Sequence, residues 1–149
     1  MRRIFMLLST GALMAAGLGG LAEAGGRPLS TTLTGAEEAP GPVDADATGQ
    51  ADLRLNQGQN EVCFEISWAN VDGQVVAGHI HIGDAGTAGP VVVTLFTGSS
   101  FEGTASVVGC AQDVDGDLIK AIRKDPTTYY VNVHSAVFPA GAVRGQLGD

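Results

Sequence analysis

The chain has 149 residues with a net charge of −8, and 44% of its residues are hydrophobic but only 5% aromatic. Residues 25–149 carry −9 by themselves, so nucleic acid and anionic lipid surfaces, which such a charge repels, are excluded as partners. About 125 residues suffice for one domain with one modest core, and 22 glycines beside few aromatics suit short strands joined by tight turns.

Arg2 and Arg3 open the chain. An uncharged apolar run broken by glycine, serine and threonine follows, and then Ala22-Glu23-Ala24. This three-part layout predicts a cleaved signal peptide over residues 1–24, hence export to the periplasm or the medium, with no membrane attachment after cleavage. Residues 25–32 read as a short linker leading into a strand that ends near Gly35, and 33–149 as the domain.

Within the domain, Glu37 to Pro42 is a loop, because prolines deny ladder hydrogen bonds. Ala51, Leu53 and Leu55 alternate with Asp52 and Arg54, which predicts a half-buried strand. Val62, Phe64, Ile66 and Trp68 alternate with Cys63, Glu65 and Ser67 in the same way, placing Cys63 on the outer face. Further strands are expected at Val75–Ile82, at Pro90–Phe96 (apolar enough to be buried on both faces), and near Thr104–Cys110. Asp117–Lys124 is the one helical stretch. Leu118, Ile119 and Ile122 form its apolar face, Asp115 or Asp117 caps its start, and Pro126 lies beyond its end. The strands Tyr129–His134 and Ala142–Leu147 complete an all-β sandwich or barrel of about eight short strands and one short helix.

The two cysteines, Cys63 and Cys110, predict a disulfide in an exported protein; two free thiols or a soft metal site are the alternative. Asp113-Val114-Asp115-Gly116-Asp117 lacks the spacing of a calcium loop and reads as an acidic turn capping the helix. Ser135 would point away from His134, and no nucleophile motif is present. The two tyrosines and Trp68 read as packing residues.

All three histidines fall in two strand motifs, Gly78-His79-Ile80-His81-Ile82-Gly83 and Tyr129-Tyr130-Val131-Asn132-Val133-His134. Alternation puts His79 and His81 on one face, with Gly78, Ile80 and Ile82 on the other. Likewise Tyr130, Asn132 and His134 share a face opposite Tyr129, Val131 and Val133, and Arg144 and Gln146 lie opposite Val143, Gly145 and Leu147. If these strands are neighbours, His79, His81, His134, Asn132, Arg144 and Gln146 gather on one side of one sheet. Three imidazoles suit one transition metal, copper by the general affinity order or else zinc, with an open coordination position. Arg144 on that face opposes a cation. The alternative is a set of structural histidines that hydrogen-bond across strands and to backbone.

These motifs, together with Leu33–Pro40, Gly49-Gln50-Ala51, Gly86–Val92 and Phe138–Leu147, resemble the CHRD domain, the module named from chordin and found in short exported bacterial proteins. The resemblance runs from about residue 29 to 147. It implies an immunoglobulin-like β-sandwich or barrel and little about activity, and chordin's role against bone morphogenetic proteins does not carry over to a single exported domain. The family pattern includes the histidines that are here His79, His81 and His134. The His-x-His strand is also locally similar to copper-zinc superoxide dismutase, but that enzyme needs more histidines than the three present. The expectation is an exported, non-catalytic binding domain that holds one metal ion on the three histidines, with Asn132, Arg144 and Gln146 behind them. The alternatives are a structural or adhesive module with a protein partner or a second copy of itself, and, third, a metal-dependent enzyme.

Overall fold

The computed structural model describes residues 26–38 and 41–148, and the side chains of all of these but 99–104. The expected signal peptide, residues 1–24, lies outside the described residues. Six strands, β1 (Arg27–Thr34), β2 (Thr48–Asn56), β3 (Glu61–Ile82), β4 (Val91–Ala111), β5 (Tyr129–Ser135) and β6 (Val143–Gln146), and one helix, α1 (Gly116–Lys124), form the domain. β1 begins at Arg27, inside the segment read as a linker. Its Leu29 and Leu33 are buried and its whole length pairs antiparallel with β2, so apolar alternation overrides its leading glycines.

The eight strand segments expected from the sequence are present, but four of them are fused into two long strands. β3 runs 22 residues and β4 runs 21, and the two pair along their length. Residues 61–69 of β3 pair with β2, and residues 75–82 pair with β5. The β3–β4 ribbon therefore runs through two halves of one six-stranded sheet. One is β1–β2–β3–β4, and the other is β6–β5–β3–β4. The β1–β6 pair, Thr34 opposite Arg144, closes the sandwich into a barrel.

The ribbon bends between Trp68 and Val75, where its register shifts. Asn70 and Gly73 adopt positive φ there, 59° and 77°, which departs from strand geometry without ending the pairing. The bend's backbone is satisfied by side chains. Asp44 Oδ2 accepts from the Asp72 N–H at 2.8 Å, and Ser135 Oγ donates to the Asp72 carbonyl at 2.7 Å. Ser135 is thus a structural residue, as its direction on the strand predicts.

The core fills with the predicted faces: Leu53 and Leu55, Val62 to Trp68, Ile80, Val131 and Val133, and Val143 and Leu147. Gly78 leaves room for the Phe96 ring, which stacks on Trp68 with centroids 6.1 Å apart. Two expectations are corrected. Ile82, placed with the core face, is exposed because the chain leaves the sheet at that point. Pro90–Phe96 is not buried on both faces: Val93 and Leu95 are inside while Val91 and Thr94 are exposed, because β4 ends the sheet order and its outer face has no layer over it. α1 is capped by Asp115, whose Oδ1 accepts from the Asp117 N–H at 2.8 Å, and its Ile119 and Ile122 are fully buried.

Cys63 and Cys110 stand directly opposite each other on β3 and β4 and are joined in a disulfide. The bond lies on the outer face, as the alternation of β3 predicts, and both sulfurs are removed from metal chemistry. Among the described residues no helix is long and apolar enough to cross a membrane.

Candidate metal centre

β5 is buried on both faces, and this creates the site. Its inner face meets the core. Its outer face, which would otherwise be solvated, is roofed by the 83–90 loop, the 136–142 turn and Glu38. The polar residues of that face are therefore enclosed.

Register arranges them in rows. His79 of β3 pairs with Asn132 of β5, which pairs with Arg144 of β6. His81 pairs with Tyr130, which pairs with Gln146. His134 pairs with the small Ala77 and so has space beside the other imidazoles. The three rings come together, with centroids 4.8 Å (His79–His134) and 5.7 Å (His79–His81 and His81–His134) apart. One nitrogen from each histidine lies within 4.8 Å of the others. For a triangle with such sides, 4.8 Å divided by √3 puts some point within about 2.8 Å of all three nitrogens. Metal–imidazole bonds of about 2.0–2.1 Å require only a small contraction from there.

Two rings are oriented by backbone. His81 Nδ1 lies 2.9 Å from the Gly89 carbonyl, and His134 Nδ1 lies 3.1 Å from the Pro139 carbonyl. Only a donor satisfies a carbonyl, so both rings carry their proton on Nδ1 and turn an Nε2 lone pair away from it. Those Nε2 atoms and His79 Nδ1 are buried without a hydrogen-bond partner. The two carbonyl contacts are the kind of outer support that orients metal-bound histidines elsewhere.

The electrostatics keep the rings neutral. Burial, followed by the neighbouring His134 and His81, pushes His79 down to about 4. Burial also lowers His81 and His134, against the opposing pull of their carbonyl hydrogen bonds. Neutral imidazole is the form that binds a metal.

Arg144, predicted to oppose a cation from the same face, is buried with its guanidinium held by neutral oxygens, and its charge still lowers His81. Its guanidinium donates to the carbonyls of Thr87 and Asp84, both at 2.9 Å, and to Gln146 Oε1 at 3.2 Å. Its Cζ lies 3.5 Å from the centroid of Tyr130, whose ring stacks on His81 with centroids 4.8 Å apart. An aromatic ring thus stands between guanidinium and imidazole. Gln146 Nε2 donates to the carbonyls of Gly83 (2.8 Å) and Thr127 (2.7 Å). Arg144 and Gln146 therefore hold the loop that roofs the histidines. Asn132 Nδ2 reaches Glu38 Oε2 at 3.3 Å and the Ala140 carbonyl at 3.5 Å.

Sequence reading missed three contributors. Glu38 was assigned to a loop. Burial pushes its carboxyl up to about 7, against the lowering effects of Arg144 and Asn132, and its Oε1 is buried without a partner. Tyr130 was read as packing, yet its hydroxyl meets the Gly89 N–H at 3.0 Å beside His81. Its place on the Asn132–His134 face was the available signal. Gly89 itself is required: a Cβ there would stand 1.6 Å from the Ile82 carbonyl oxygen.

No curated protein and no solved structure matches the chain significantly. The sequence profile of the CHRD domain matches residues 29–147, which include every strand from Leu29 onward and all three histidines, and the chain belongs to the CHRD domain family.

Proposed function

We propose that this CHRD domain is an exported, non-catalytic binding module that holds one transition metal ion on His79, His81 and His134. One observation carries the reading: three adjacent imidazoles each present a buried nitrogen with no partner. An unpaired buried acceptor costs roughly 1–3 kcal/mol, so three side by side call for a shared partner, and a cation satisfies all of them at once. The same observation disfavours a histidine hydrogen-bond network, which would leave no nitrogen unpaired. Copper is the favoured ion, since it tops the affinity order of the common divalent metals at nitrogen sites, and zinc is the alternative. Export accords with the disulfide, which persists in oxidising compartments.

The test is calorimetric titration of the mature protein with copper and zinc, beside a variant with His79→Ala and His81→Ala. One-to-one binding that disappears in the variant is the expected result. Absence of binding at micromolar metal, with the variant merely less stable, would return the histidines to the fold and direct attention to a protein partner.

A further inference from the structure

β4 ends the sheet order, so one of its two edges has no strand beside it. An open row of N–H and C=O groups recruits another strand, and natural edges are blunted against this by lysine, proline, bulges or a covering loop. The first half of β4 is blunted, because its ladder with β3 slips repeatedly between Val75 and His81. The second half is not. Residues 105–111 pair with β3 without a register shift and contain no charged residue and no proline. Among the described residues no turn or loop backbone bonds to them. Val108, in the middle of this stretch, is 72% exposed, the most of any large hydrophobic residue among those described.

Strand geometry says which groups are open. Facing residues of antiparallel strands alternate between hydrogen-bonded pairs, with Cα atoms about 5.5 Å apart, and unbonded pairs at about 4.5 Å. The Cα atoms of Cys63 and Cys110 are 3.8 Å apart, which makes theirs an unbonded pair. The N–H and C=O of Cys110 therefore point away from β3, and by alternation so do those of Val108 and Ser106.

We infer that this edge is a dimer interface, in which residues 105–111 of two copies pair antiparallel about a twofold axis through Val108. In that register Val108 faces Val108 of the second copy, Ser106 faces Cys110, Val107 faces Gly109 and Ala105 faces Ala111. Ser106, Val108 and Cys110 of each copy then donate and accept across the axis, about six hydrogen bonds in all. The side chains favour a second copy over another extended segment. Val107 meets a glycine, the two exposed valines cover each other, and no charge meets a like charge although the chain carries −8. Glu65, beside Val108 on β3, is the nearest acid in the ladder. The two Glu65 residues stand three strand spacings apart, about 14 Å, beyond the screening length of about 8 Å in physiological salt. One strand pair is a small contact, so the expected dissociation constant lies between about 10 μM and about 500 μM. His79 and His81 lie on the other half of β3, so each dimer presents two separate histidine sites.

The test measures the mass of the mature protein by sedimentation equilibrium from about 5 μM to about 1 mM, beside Val108→Lys. EDTA is present throughout, so that no metal bridges copies. Mass should rise toward twice that of one chain. Val108→Lys, which sets two like charges opposite each other at the axis, should weaken association at least about tenfold. Amide exchange of the wild type gives an arm that needs no variant. The N–H groups of Ser106, Val108 and Cys110 should slow with concentration more than those of Val107 and Gly109, which are bonded to β3. A monomer throughout the range, association that Val108→Lys leaves unchanged, or exchange at Ser106, Val108 and Cys110 that ignores concentration would overturn the inference.

Discussion

Glu38 occupies the space that a side chain at Gly141 would fill, for a Cβ built on Gly141 would stand 2.5 Å from both Glu38 carboxylate oxygens. Gly141 also has φ of +149°, a conformation that disfavours any residue with a side chain. Gly141→Ala should therefore cost about 1–3 kcal/mol, seen as a thermal midpoint lower by roughly 5–10 °C in circular dichroism. In a double-mutant cycle with Glu38→Ala the two effects should not add, because the smaller residue removes the clash and leaves only the backbone strain.

Arg144 is the anchor of the roof. It is 1% exposed and holds two carbonyls of the 83–90 loop. Arg144→Met keeps much of the volume and abandons both acceptors. The expected result is a loss of roughly 2–4 kcal/mol in urea unfolding, with faster amide exchange over 84–89 than in the wild type. A variant whose loop exchanges at the native rate would show that the loop holds itself.

Stability should fall on acidification, with a counter-term from Glu38. His79, at about 4 when folded against 6.5 ordinarily, is protonated first in the unfolded chain, so its contribution is whole above pH 6.5 and is lost as pH falls toward 4. His81 and His134, also lowered, act in the same direction. Glu38, at about 7 against 4.5, acts the opposite way: its contribution is present below pH 4.5 and is lost as pH rises through 7. Three groups outweigh one, so the metal-free midpoint should drop between pH 6.5 and 4. Glu38→Gln should steepen that drop and flatten the curve between pH 6.5 and 8. Melting curves of both proteins across this range check the signs.

The Cys63–Cys110 bridge closes a loop of 47 residues, for which chain entropy gives about 4 kcal/mol. Replacing both cysteines with alanine should lower the unfolding free energy by about that amount in denaturant titrations. The bridge pairs the first half of β3 with the second half of β4, whereas the histidines lie on the other half of β3 and on β5. Metal stoichiometry should therefore be unchanged in the folded double variant.

Alternation made much of this legible. Apart from Ile82, the faces read for β2, β3, β5 and β6 hold, and the outer position of Cys63 and the convergence of the histidines follow from them. Strand fusion was not legible, because Asn70, Asp72 and Gly73 interrupt the apolar alternation, and only the pairing partners show that the ladder continues. Burial of the site's polar face was also hidden. It depends on the 83–90 loop lying back over β5, fastened by Arg144 and Gln146, and no local pattern records that. Glu38 escaped for the same reason: its neighbours Asn132 and Gly141 are about a hundred residues away in sequence.

The long β3–β4 ribbon has a consequence for how this domain comes apart. Both halves of the sheet run along it, so neither can melt while the other stays whole, and the barrel makes one cooperative unit. His79 and His81 ride on that ribbon. Whatever binds them only in the folded state draws on the stability of the entire chain, and its presence is recorded in a single global transition, not in the opening and closing of a loop.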